Sequence, residues 1–109
     1  GRLYNSRQAV IDAVAASPYL DVVTPMGSMY AFVGVNTDVL PEFDDESFAL
    51  ELLEQQHVLV APGSSFNTPY RDHFRITTLP DEETLAQVFE RMDEVLAQMA
   101  NRPPKLESA

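Results

Sequence analysis

The amino-acid sequence predicts a two-layer α+β domain: a short, largely antiparallel sheet covered by helices on one face. Three observations predict it. Two runs of β-forming residues flank Pro25-Met26-Gly27, a turn so short that the strands pair as an antiparallel hairpin. Near the end, Leu85, Val88, Phe89, Met92, Val95, Leu96 and Met99 recur with helical spacing and mark a long amphipathic helix. Helical and extended patterns follow one another in the order α-β-β-α-β-β-α, with no internal repeat or low-complexity segment between them.

The first helix is predicted over residues 2–16, where Leu3, Val10, Ile11 and Val14 share one side of a 3.6-residue wheel. Ser17-Pro18 ends it, because a residue before proline avoids helical angles. Tyr19 to Thr24 reads as a strand. Ser28 to Val35 reads as a second one, with Met29, Ala31, Val33 and Val35 on one face and Tyr30 and Phe32 on the other. Apolar residues on both faces predict a central position. After a polar loop, Asp44 or Asp45 caps a helix over 46–56 whose buried stripe is Phe48, Leu52 and Leu53. A short strand is expected from His57 to Ala61, stopped by Pro62-Gly63, and a fourth from His73 to Leu79. Asp81 caps the last helix, Glu82 and Glu83 complement its dipole, and Asn101 with Pro103-Pro104 ends it. The expected organisation is one domain over 1–102 and a flexible tail over 103–109.

The chain has 109 residues, 45% of them apolar and 22% charged, the balance of a single folded domain rather than a disordered segment. Seventeen acids against seven bases give a net charge of −10. Nothing here resembles the clustered lysines and arginines that displace counterions from nucleic-acid phosphates, so a nucleic-acid partner is not expected. The same charge opposes an anionic membrane surface, and there is no apolar run of about 18 residues to span a bilayer. The absence of cysteine excludes disulfides and thiolate metal sites, and fits a reducing cytoplasm. The chain opens without Met at Gly1-Arg2-Leu3, already inside a helical pattern, and is therefore expected to be a piece of something longer.

Few residues carry chemistry. A Schiff-base lysine must be desolvated in a pocket, but the only lysine, Lys105, follows two prolines in the expected tail. His57 and His73 lie too far apart for a two-histidine helix motif and read as strand-end residues, so no metal site is predicted. The acids around Glu42 to Glu46 lack the central glycine of a calcium loop. Ser64 and Ser65 after Pro62-Gly63 do not meet the G-x-S-x-G pattern of a nucleophile elbow. Arg75 differs. Alternation in the last strand puts Phe74, Ile76 and Thr78 on one face and Arg75 with Thr77 on the other. An arginine among apolar neighbours needs an anionic partner. That partner is either an internal acid such as Asp72 or a bound carboxylate, whose two oxygens match the guanidinium fork.

The run Val58-Leu59-Val60-Ala61-Pro62-Gly63-Ser64-Ser65-Phe66, with Phe74-Arg75-Ile76 and Thr78-Leu79-Pro80, resembles the end of class I and II aminotransferases. Pro25-Met26-Gly27-Ser28-Met29-Tyr30-Ala31-Phe32 is similar to that family's glycine and aromatic strand, and the segment from Phe66 to Pro80 looks closest to the bacterial glutamate–pyruvate (alanine) branch. The resemblance covers the chain to about residue 101. It implies the C-terminal small domain of an enzyme dependent on pyridoxal 5'-phosphate, which transfers an amino group between an amino acid such as alanine or glutamate and a 2-oxo acid. It implies that Arg75 binds the substrate α-carboxylate, and that Gly63, Ser64 and Phe66 line the approach. It further implies that the cofactor and its lysine belong to a large domain of the parent chain, that the parent is a cytoplasmic homodimer, and that this segment alone is inactive. The competing expectation is a free-standing small α+β module that binds a ligand or a protein partner.

Overall fold

The computed structural model describes residues 2–27, 29–63 and 72–101, with backbone alone at 2–4, 25 and 26. The element order is α1 (Arg2–Ala16), β1 (Leu20–Met26), β2 (Tyr30–Val35), α2 (Asp45–Gln56), β3 (Ala61–Pro62), β4 (His73–Thr77) and α3 (Glu82–Ala100). The predicted α+β class and order therefore hold. The sheet order is β1-β2-β4-β3, and every neighbouring pair is antiparallel. As its two apolar faces predicted, β2 is an interior strand.

The inner face of the sheet is built by alternation. Leu20, Ala31, Val33, Val35, Phe74 and Ile76 are buried against Val10 and Val14 of α1, Phe48 and Leu52 of α2, and Leu85, Phe89, Met92, Val95 and Leu96 of α3. Each helix contributes one apolar stripe to this single core, which is what orders short helices that would be marginal alone. Both predicted caps are present. Asp44 accepts from the Ser47 backbone N–H at 3.0 Å, and Asp81 accepts from Thr84 at 2.8 Å. Side-chain bonds between distant segments add to the packing. The Ser6 hydroxyl donates to the Pro80 carbonyl at 2.6 Å, and Arg7 Nη2 donates to Gly27 at 3.2 Å.

Three expectations are corrected. First, the strand expected from His57 to Ala61 is not one. His57 takes left-handed angles, φ 57° and ψ 32°, and terminates α2, with its N–H returned to Leu53 and that of Val58 to Leu52. Val58 and Val60 are buried while Leu59 is 75% exposed, so the apolar alternation is real. Ladder pairing begins only at Ala61 and continues through Pro62, where the sequence predicted a stop. Proline is compatible with this position because β3 is the edge strand. Second, Leu53 is 42% exposed and does not join Phe48 and Leu52 in the buried stripe. Third, the outer strand limits shift. β1 runs on through Pro25 and Met26, β2 starts at Tyr30, and β4 ends at Thr77 instead of Leu79. The tail expected over 103–109 lies outside the described residues.

Candidate functional site

The face of the sheet turned away from the helices carries the polar chemistry. Arg75 sits mid-strand in β4, with Phe32 of β2 opposite it on one side and Ala61 of β3 on the other. Because β4 alternates, Phe74 and Ile76 anchor it in the core while His73, Arg75 and Thr77 remain half-buried on this outer face. The guanidinium lies 4.2 Å above the Tyr30 ring. A cation held over an aromatic face gains about 0.5–1 kcal/mol at a partly exposed position.

Gly63, the second predicted site residue, directly follows β3 beside the same face. A β-carbon added there would lie 2.7 Å from the His73 carbonyl oxygen and 3.1 Å from Phe32 Cζ. Only glycine lets the backbone pass this close. The structure therefore brings Gly63 and Arg75 to one face, through β4 and Phe32. Ser64 and Phe66 lie outside the described residues. Three residues of this face were not named as site residues from sequence: Tyr30, Phe32 and His73. Their signal was present in the alternation that put Tyr30 and Phe32 opposite the core face, and in the two-residue spacing of His73 and Arg75.

His73 stacks on Phe32, with ring centroids 4.8 Å apart and planes 13° from parallel. Its Nδ1 lies 2.7 Å from Asp72 Oδ1. Asp72, weighed above as a partner for Arg75, thus has a contact with His73.

Several acids also lie between two of the helices. A groove of about 550 Å³ between α1 and α3 is lined by Asp12, Glu82, Glu83, Glu90 and Asp93 over a floor that includes Ala9 and Phe89. It lies among the helices and does not include Arg75. Within it, the Ser17 hydroxyl donates to Asp93 at 2.8 Å. Burial raises the Asp93 carboxyl above its ordinary 3.8, the Ser17 bond offsetting this in part. The folded state thus keeps this proton to higher pH than the unfolded state does. Asp93 costs stability above that window, and the cost fades as pH falls through the carboxylate range. Asp93→Asn, which keeps an acceptor for Ser17, is expected to raise the unfolding midpoint at pH 7. The gain should exceed that of Glu90→Gln on the same helix and shrink towards pH 3.5; a gain independent of pH would contradict it. Among the described residues, no group of three or more His, Cys, Asp or Glu is arranged to hold a metal ion, and no helix is long and apolar enough to cross a membrane.

Comparison with known proteins shows the family of this chain. The sequence model of the family described as aminotransferase class I and II matches residues 1–92. The chain belongs to that family. An alanine aminotransferase of Mycobacterium tuberculosis is 36% identical over 96 residues, covering 88% of this chain and 22% of that protein. The glutamate-pyruvate aminotransferase AlaA of Escherichia coli is 38% identical over 80 residues, 73% of this chain and 20% of that one. Among solved structures, an Escherichia coli aminotransferase superposes with a TM-score of 0.80 at 32% identity, covering 89% of this chain and 24% of its own. This aminotransferase segment thus spans between a fifth and a quarter of the relatives it matches.

Membership implies pyridoxal phosphate in the full-length enzyme. That cofactor is held as an imine on a lysine amine. The one lysine of this chain, Lys105, is not among the described residues, and the outer face offers an arginine, a histidine and aromatic rings instead. The donor set of this face does not fit the cofactor.

Proposed function

We propose that this aminotransferase segment is the C-terminal small domain of the parent enzyme and holds the substrate by its α-carboxylate. The observation that carries this reading is Arg75 itself. It stands mid-strand on the face without helices, with its guanidinium over Tyr30. A planar fork accepts both oxygens of a carboxylate at once and so sets the direction of the substrate as well as its position. Gly63 brings the backbone close to that position, and the family likeness supports Ser64 and Phe66 as further residues of the approach. The likeness to alanine and glutamate-pyruvate aminotransferases supports alanine or glutamate as amino donor and a 2-oxo acid as acceptor. The cofactor, when bound, supplies the electron sink for amino transfer.

On this reading the large domain of the parent chain carries the cofactor and its lysine, and the small domain closes over it. The parent as a cytoplasmic homodimer belongs to the same reading and rests on the family likeness. Residues 1–109 alone, supplied with pyridoxal phosphate, alanine and 2-oxoglutarate, are expected to show no turnover and no protein-bound cofactor absorbance. The full-length parent is expected to show both. Turnover by the segment alone would overturn the assignment.

A further inference from the structure

We infer that His73 is a positioning residue for the carboxylate site, acting through its stack on Phe32 rather than as a ligand of its own. The inference rests on the role proposed for Arg75 and adds to it the device that holds the surrounding face in place.

His73 heads β4 two residues before Arg75, on the same face, and pairs with Gly34 of β2. A β-carbon at Gly34 would sit 3.0 Å from His73 Nε2 and 2.7 Å from Val22 Cγ1. The bare backbone there lets the imidazole lie across β2 and meet the Phe32 ring nearly face to face. The ring is also fixed in rotation, since Nδ1 is within 2.7 Å of Asp72 Oδ1. Asp72 is in turn tied to the end of β2, its carbonyl accepting from the Val35 N–H at 2.8 Å.

Phe32 is the residue through which this reaches the site. It is the direct cross-strand neighbour of Arg75, and its Cζ lies against Gly63. The imidazole walls one side of the Phe32 ring, and the Gly63 backbone limits it at the tip. Without the imidazole, Phe32 gains room to turn into the vacated space. Both Gly63 and the flank of Arg75 then lose a fixed neighbour. The side chain that matters is a flat ring, so an aromatic replacement should serve and a small polar one should not.

The test is steady-state kinetics of variants in the full-length parent enzyme, each first checked for folding by circular dichroism. His73→Ala is expected to raise KM for the amino-acid substrate about 3- to 10-fold, the range of one aromatic pair, with kcat within about twofold. His73→Asn, which retains a polar side chain without the stack, should behave like His73→Ala. His73→Phe should return KM to within about twofold of the wild type and leave its pH profile unchanged. Gly34→Ala, which intrudes on the imidazole with His73 still present, should raise KM in the same direction. An unchanged KM for His73→Ala, or a His73→Phe variant as impaired as His73→Ala, would overturn the inference. Arg75→Ala run alongside separates the two readings. If it raises KM and His73→Ala does not, only the positioning role is lost; if Arg75→Ala also leaves KM unchanged, the carboxylate site itself is wrong.

Discussion

In the full-length parent enzyme, Arg75→Ala is expected to lower kcat/KM for amino-acid substrates by about 30-fold to a few thousand-fold. The figure follows from the roughly 2–5 kcal/mol lost when one member of a desolvated, hydrogen-bonded charge pair is truncated. The loss should fall on KM for both the amino acid and the 2-oxo acid, because each presents a carboxylate next to its reacting carbon. Arg75→Lys separates charge from shape. Lysine keeps the positive charge but not the two parallel N–H groups, and its ammonium cannot rest over Tyr30 as a flat guanidinium does. An intermediate defect is expected. If Arg75→Ala stays within twofold of the wild type, the side chain serves the sheet and not the substrate.

The second large effect concerns stability. Phe74 is fully buried in β4, between His73 and Arg75 in sequence, and its ring centroid lies 5.2 Å from that of Phe48 in α2. Phe48 in turn contacts Phe43 at 5.3 Å. Phe74→Ala removes the central member of the contact between β4 and α2, and leaves a cavity that surrounding rings fill only in part. The expected loss is about 3–5 kcal/mol, a large share of the roughly 5–15 kcal/mol that separates a folded domain from its unfolded chain. Urea unfolding of the 109-residue chain should show it as a lower midpoint with an unchanged slope. Leu59→Ala is the matched control. Leu59 is apolar too but 75% exposed, so its truncation should stay within about 0.5 kcal/mol. A loss under 1 kcal/mol at Phe74 would mean that β4 is not anchored through that side chain.

Much of this fold was legible in the residues. The stripe from Leu85 to Leu96 and the caps Asp44 and Asp81 are local signals, and they are where the periodicity put them. Alternation in β4 correctly separated Phe74 and Ile76 from Arg75, while the run of β-formers from His57 to Ala61 was read as a strand. That run did not tell paired from unpaired. Side-chain burial and ladder hydrogen bonds are independent requirements, and the apolar pattern encodes only the first. The end of α2 at Gln56 was read correctly, but His57 was assigned to a strand because left-handed termination there uses a residue other than the customary glycine. Leu53 was placed in the stripe because one helix cannot reveal how wide its neighbours leave the groove.

The site divides the same way. Arg75 was singled out from sequence because an arginine in a strand conflicts with its surroundings, and such a conflict is visible locally. Tyr30, Phe32, Gly34, Gly63 and His73 carry no conflict of their own, and nothing along the chain joins residue 32 to residues 63 and 73.

By itself, the sequence determined the element order, most of the core-facing residues, the acidic balance and the one arginine set within a strand. These follow from partition between water and core, which each residue meets with only its near neighbours in the chain. Only the tertiary structure decided the strand order β1-β2-β4-β3, which sets Arg75 between Phe32 and Ala61 and lays His73 across Gly34. Which strand edges meet depends on packing summed over all three helices and the sheet, and no local pattern contains that sum.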